Sequence, residues 1–159
     1  MDKKLKEIEG KIKKSLGITE LPDFELKIDK RLSKRTAFNQ KVDDKYLITI
    51  SAENDNNPNY SGFKHELIHL ALKNYSYDNL EINLQVPEKY KKDDKKTRFM
   101  EYLTIALEIK MGDREKIEEN LNNYEKYGFS KIKKFYSIVK NIKLDQPLIN
   151  DIKIRANSL

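Results

Sequence analysis

Residues 62–72 read G-F-K-H-E-L-I-H-L-A-L and contain His65 and His69, the only two histidines in the chain. On a helix, residues four apart lie one turn apart on the same face, so both imidazoles can aim a ring nitrogen at one point. That is the geometry of two-point attachment to a metal ion. Glu66 sits about 100° around from His65, at the edge of that face, where its carboxylate meets a water on the metal rather than the metal itself. Two neutral imidazole ligands and an adjacent carboxylate base are the mechanical content of H-E-x-x-H. Phe63, Leu67, Leu70 and Ala71 form a broad apolar stripe on the same segment, with Ile68 and Leu72 beside it. Such a helix is mostly buried, and buried imidazoles and carboxylates need partners. The competing reading is an accidental pattern on an amphipathic helix. It leaves unexplained why the whole histidine supply falls at this one spacing.

A catalytic zinc ion takes three protein ligands and keeps one position open. With no third histidine and no cysteine in the chain, the third ligand has to be a carboxylate. The segment T-R-F-M-E-Y-L-T-I-A-L-E-I-K (97–110) has helical spacing, with Phe99, Leu103, Ala106, Leu107 and Met111 among a broad apolar surface that includes Ile105 and Ile109. Glu101, Thr104 and Glu108 share the remaining narrow stripe. Either that stripe faces water, or it presents a carboxylate to the histidines. In so lysine-rich a chain, a solvent stripe with Thr97, two glutamates and no lysine is unexpected. Glu101 is the first candidate and Glu108 the next, with Glu81, Glu88 and Asp78 behind them. A glutamate that does not bind the metal can hold a histidine N–H instead.

Stepping outward, charged residues make up 36% of the 159 and apolar residues 38%, enough for one domain with a real core under a heavily solvated surface. The net charge of +6 arises from basic residues interleaved with acids, the pattern of a solvated surface more than of a nucleic-acid footprint. The absence of cysteine removes disulfides and thiolate chemistry and suits a reducing compartment. The first sixteen residues are charged and helix-periodic, unlike a signal peptide, and no run is long and apolar enough for a membrane span. A cytoplasmic protein is expected.

The elements that must position these residues follow from the pattern. Leu5, Ile8, Ile12 and Leu16 mark one face of an opening helix, ended by Gly17. FELKID (24–29) alternates as a half-buried strand; RTAFNQ (35–40) and YLITISA (46–52), separated by the turn-like VDDK, are expected to pair as a hairpin. NDNNPN (54–59) is a loop. The histidine helix is expected from Tyr60 to Asn74, then a long connection over 77–96 with short local structure, then the glutamate helix closed by Gly112. Asp113 and Ser130 are placed to cap two further helices, and a short helix follows Pro147. The fold class is therefore α+β: a sheet of about three strands packed on the histidine and glutamate helices, with a helical C-terminal extension. The expected organisation is a catalytic domain over 1–112 and an extension over 113–159 packed on it.

HELIH with a downstream helical glutamate resembles the gluzincin metallopeptidases, the group that contains thermolysin. Their second motif is N-E-x-x-S-D; here M-E-Y-L-T-I supplies Glu101 and offers Thr104 for the serine, while Met100 and Ile105 stand where that pattern has Asn and Asp. The resemblance spans about residues 24–111 and is nearest to compact minigluzincin-type proteins. It implies a Zn2+ cofactor held by His65, His69 and Glu101, Glu66 as general base, a peptide or protein substrate, and a sheet strand that binds extended peptide, for which YLITISA is the candidate edge.

Hydrolysis of this kind also needs a donor for the oxyanion; with histidine spent, the candidates are Tyr102, Arg98, Tyr124 and Tyr127. The 77–96 connection or the tail after Gly112 is placed to make the enzyme latent. Two other readings stand beside it: a non-catalytic metal-binding regulatory module, and a peptidase acting on nucleic-acid-bound or regulatory proteins through Lys131, Lys133, Lys134, Lys140 and Lys143. Oligomeric state is unknown from the sequence.

Overall fold

The opening helix α1 (Lys3–Leu16) begins where the Asp2 carboxylate accepts the Leu5 N–H at 2.8 Å and ends at Gly17, whose φ of 66° is the left-handed cap that glycine adopts without strain. It buries Leu5, Ile12 and Leu16. The computed structural model to which it belongs describes residues 2–141 and 146–159. The fold is α+β, with a three-stranded mixed sheet and six helices among the described residues. Two compact units are formed, Met1–Ala71 and Leu72–Leu159; the 112/113 boundary drawn from the sequence falls inside the second.

In the first unit, β1 (Phe24–Asp29) pairs in parallel with β3 (Lys45–Ser51), and β2 (Ala37–Val42) pairs antiparallel with β3 on its other side. The hairpin expected from VDDK is present, with Asp43 at φ 54° in a two-residue turn joining Val42 to Lys45. β2 starts two residues later than expected, because Arg35 takes φ 63° and the Thr36 N–H closes a turn on the Ser33 carbonyl. One expectation is corrected. YLITISA is the central strand, not an edge, since the sheet order is β1-β3-β2. Its burial matches that position: Ile48, Thr49, Ile50 and Ser51 are all buried, whereas neither flanking strand holds a buried residue.

The histidine helix α2 (Tyr60–Leu72) starts at Asn59, whose side chain accepts the Gly62 N–H at 2.9 Å and donates to the Thr36 carbonyl at 3.2 Å. Asn59 thus ties the helix start to the chain entering β2. Phe63 on α2 meets Phe24 of β1 with ring centroids 6.2 Å apart. At Gly62 the helix passes close to Ala37 of β2.

In the second unit, residues 73–94 form the long connection, with a single 3-10 turn at Glu88–Tyr90. The helix α3 (Lys95–Met111) is capped by Asp94, which accepts the Thr97 N–H at 2.7 Å. Its burial extends all round from Phe99 to Leu107, the signature of a core helix. After a 3-10 turn at Arg114–Lys116 come α4 (Ile117–Tyr127), α5 (Ile132–Val139) and α6 (Gln146–Asn157). The two expected caps do not form. Asp113 precedes the 3-10 turn without a side-chain bond, and Ser130 donates to the Gln85 side chain at 2.9 Å instead. A close approach of Gly128 (φ 130°) to Pro87 holds the connection to the end of α4; a Cβ there would stand 2.9 Å from the Pro87 Cα. α6 pins the same connection. Lys153 donates to the Ser76 and Asp78 carbonyls at 3.0 and 3.2 Å, and the Asn157 side chain accepts the Glu81 and Ile82 N–H groups.

At Gly62 an added Cβ would lie 2.5 Å from the Ala37 Cβ and closer still to the Asn59 amide. Gly62→Ala should therefore cost roughly 1–3 kcal/mol through overpacking. Gly10→Ala, mid-helix in open space, should be neutral or stabilising by up to about 1 kcal/mol. Urea unfolding of the two variants checks the contrast.

Candidate metal centre

α2 carries the pair of imidazoles on one face, as the spacing requires. The Nε2 atoms of His65 and His69 stand 3.1 Å apart, and the two rings meet edge to face with centroids 4.7 Å apart. Each Nε2 can coordinate a cation when its ring carries the proton on Nδ1. Two nitrogens at zinc distance from a tetrahedral ion lie about 3.3 Å apart. The imidazoles already have ligand spacing.

Glu101 completes the group. One ligand atom from each of His65, His69 and Glu101 lies within 4.8 Å of the others, with the histidines half-buried and the glutamate buried. The donor set of two imidazoles and a carboxylate suits a borderline divalent cation such as zinc. This His-His-Glu group is able to hold a metal ion; the geometry does not select which one. Among the described residues it is the only cluster of this kind. The reading in which the Glu101 stripe faces water is excluded, because Glu101 is 8% exposed and Thr104, one turn on, is fully buried.

Glu66 follows His65 directly in α2. It is 7% exposed, and its Oε2 accepts a hydrogen bond from the Asn39 side-chain amide. Asn39 was not singled out from the sequence. It lies opposite Ile48 in the β2–β3 register, so with Ala37 and Lys41 it belongs to the sheet face that carries Ile48 and Ile50. A carboxamide on the apolar face of a strand was the available signal.

The remaining predicted residues fall in different places. Glu108 is half-buried on α3. Tyr124 on α4 has its phenol pushed up, first by burial and then by the negative charges of Glu108 and Glu101, so it remains a proton donor throughout the neutral range. Tyr102 is a core strut. Its ring packs on Phe129 and Phe135, while its hydroxyl donates to the Gln85 carbonyl and accepts the Lys131 N–H at 3.3 Å. The Arg98 guanidinium is spent on main-chain carbonyls of Asp93, Leu84 and Lys91 at 2.9, 3.2 and 2.6 Å. Tyr127 is 56% exposed at the rim of the Phe129 cluster. Asp78, Glu81 and Glu88 are exposed on the connection and outside the His-His-Glu group.

Of the lysines considered for a basic surface, Lys131 donates to the Leu159 carbonyl at 3.0 Å and Lys133 pairs with Glu125 at 3.1 Å. Lys134 and Lys140 are exposed, and Lys143 lies outside the described residues. No helix among the described residues is long and apolar enough to cross a membrane. The chain matches no protein-family model, no curated protein and no solved structure.

Metal binding is directly measurable. Chelator-stripped protein titrated with zinc in a calorimeter should take up one ion per chain; His65→Ala or His69→Ala should abolish uptake, and Glu101→Ala should weaken it by more than roughly tenfold. Imidazoles bind metal only when neutral, so affinity should hold above the ordinary histidine pKa of about 6.5 and fall as the pH drops through it.

Proposed function

We propose that the protein is a zinc-dependent metallopeptidase in which His65, His69 and Glu101 hold the metal and Glu66 is the general base. The observation that carries this reading is the His-His-Glu grouping on two largely buried helices, with a second buried carboxylate one residue from the first histidine. A zinc ion on that donor set would lower the pKa of a water at its open position and polarise a substrate carbonyl.

The chain's own residues account for the rest. Asn39 holds Glu66 by one oxygen, fixing the carboxylate plane and leaving its other oxygen to accept a proton and later deliver it to the departing amine. Burial of Glu66 keeps bulk water from competing for that proton. Tyr124, with its proton retained next to the negative charges of Glu101 and Glu108, is the best placed of the four oxyanion donors considered, since Tyr102 and Arg98 are committed to main-chain groups.

An extended substrate needs a sheet edge, and that role passes from β3 to β2. The Ser51 N–H donates to the Thr36 carbonyl, so in the antiparallel ladder Phe38, Gln40 and Val42 turn their amides toward β3 while Ala37, Asn39 and Lys41 turn theirs outward. Asn39 thus offers its main chain to a peptide and its side chain to the base. This open edge supports an extended peptide as the substrate.

The separating experiment is Glu66→Gln. The variant should bind zinc with unchanged stoichiometry, while hydrolysis of a quenched-fluorescence peptide library falls about 100- to 10,000-fold. Hydrolysis at the wild-type rate rejects the general-base role, and a wild type that holds zinc without cleaving any peptide favours the regulatory module. Asn39→Ala should lower kcat by about tenfold or more with little change in KM, because it disturbs the base and not the metal.

A further inference from the structure

The other edge of the sheet carries a separate message, independent of the peptidase reading. β1 has no strand on its outer side among the described residues. The Tyr46 N–H donates to the Asp23 carbonyl at 2.9 Å, which fixes the phase of the parallel ladder: Glu25, Lys27 and Asp29 face β3 with their amides, and Phe24, Leu26 and Ile28 face outward. No main-chain bond among the described residues meets those outward groups. The side chains of the same three residues lie on the face that elsewhere forms the core, since they are in register with Tyr46, Ile48 and Ile50. Yet Phe24 and Leu26 are only half-buried, and Ile28 is 43% exposed. With Leu5 and Pro58 they line a cavity of about 690 Å3 beside the strand.

We infer that β1 pairs antiparallel with β1 of a second copy of this chain, with Leu26 on the two-fold axis, to give a continuous six-stranded sheet. The sequence F-E-L-K-I is its own antiparallel complement in that register. Leu26 meets Leu26 of the second copy, Phe24 meets Ile28, and Glu25 meets Lys27 in both directions. The outward amides of Phe24, Leu26 and Ile28 then form about six main-chain hydrogen bonds. A two-fold axis through residue 25 instead would oppose two glutamates, and one through residue 27 would oppose two lysines. Of the axes on the other outward residues, one on Phe24 would oppose Glu25 to Asp23, and one on Ile28 would pair Lys27 with Asp29 but set Leu26 against Lys30, beyond the end of the strand. The Leu26 register alone keeps all three outward residues paired within β1.

The charged partners are available for this. Glu25 and Lys27 are exposed, and their existing ion pairs are long, 3.6 Å to Lys45 and 3.9 Å to Asp29, so they contribute little that must be given up. The one like-charged meeting, Asp23 with Asp29, is relieved by Arg31, whose guanidinium already holds Asp29 at 2.8 Å. On the apolar face, Phe24 and Ile28 of one copy extend the row formed by the other, which covers side chains left uncovered in the single chain. Isologous contact of this kind closes on itself, so a dimer and not a filament results.

Sedimentation velocity of the full chain over a range of concentrations tests the register. The wild type should sediment as a dimer. Glu25→Lys and Lys27→Glu should each raise the dimer dissociation constant by on the order of tenfold or more, because two attractive cross-strand pairs become two repulsive ones. The double swap Glu25→Lys/Lys27→Glu should restore the dimer. Circular dichroism should show all three variants folded, since both side chains are exposed. Leu26→Pro, which removes the central outward N–H while breaking no bond to β3, should give a folded monomer. A wild type that stays monomeric, with the edge left to a heterologous extended peptide, overturns the proposal. So does a dimer indifferent to the single reversals, or a double swap that fails to restore it.

Discussion

Two ring nitrogens 3.1 Å apart are the constraint from which the rest of the site follows. A neutral contact between them is worth about 1 kcal/mol net, whereas a divalent cation on a full ligand set is worth on the order of 10 kcal/mol. This posture therefore gains most where a metal ion can occupy it. An isolated helix of this length would fray and let the pair drift. α2 is held instead by Asn59 at its start, by the close passage of Ala37 at Gly62, and by burial of Phe63, Leu67, Ile68 and Leu70. Those packing contacts fix the rotamer of neither ring, but they fix the backbone from which both project.

The polar residues on these two helices carry the same implication from the energetic side. Glu66, Glu101 and Thr104 are all under 9% exposed, among residues of α2 and α3 that are otherwise buried mainly as apolar side chains. A buried carboxylate without compensation is strongly unfavourable, and a methionine or leucine in either position would extend the core at no such cost. Among the described residues no buried side-chain nitrogen or oxygen lacks a partner. For Glu66 the partner is Asn39. Removing one of that pair would strand the other, so the strand and the helix are specified jointly, residue 39 with residue 66.

How much of this was legible in the sequence depends on the range of the signal. HELIH was legible because its meaning lies within one helical turn, and Glu101 because the wheel left it on a narrow stripe of an otherwise apolar helix. The hairpin was legible from two aspartates flanked by alternating residues. Strand order was not. The alternation in YLITISA is compatible with an edge or a centre until β1 is known to pair in parallel with β3, a contact that skips over the hairpin partner. Asn39 was hidden for the same reason: its partner is 27 residues away. The roles of Tyr102 and Arg98 were misleading from sequence because a lone hydroxyl or guanidinium beside a candidate ligand looks chemical. Their actual partners are main-chain carbonyls of a connection with no periodicity to read. That connection needs such clamps because it has almost no internal main-chain ladder, and the side chains of α3 and α6 supply what a regular element would have satisfied by itself.

A three-stranded sheet that does not close has two edges, and edges invite association unless something occupies or blunts them. Here the central strand is spent on both sides, so neither edge can be relieved by β3. The β2 edge carries Asn39, whose side chain is tied to Glu66; filling it permanently would put a fixed strand beside that buried carboxylate. The β1 edge carries no residue of the candidate metal group and presents a row, Phe24-Leu26-Ile28, half-buried at Phe24 and Leu26 and 43% exposed at Ile28. Lysine in the middle of an edge ordinarily repels an incoming strand, and Lys27 does so against every partner that lacks an acid two residues out of phase. The strand that does have one is β1 itself, at Glu25. The same two charges that guard this edge against indiscriminate pairing therefore favour the antiparallel register in which all three outward residues pair, and they leave the edge beside Glu66 open.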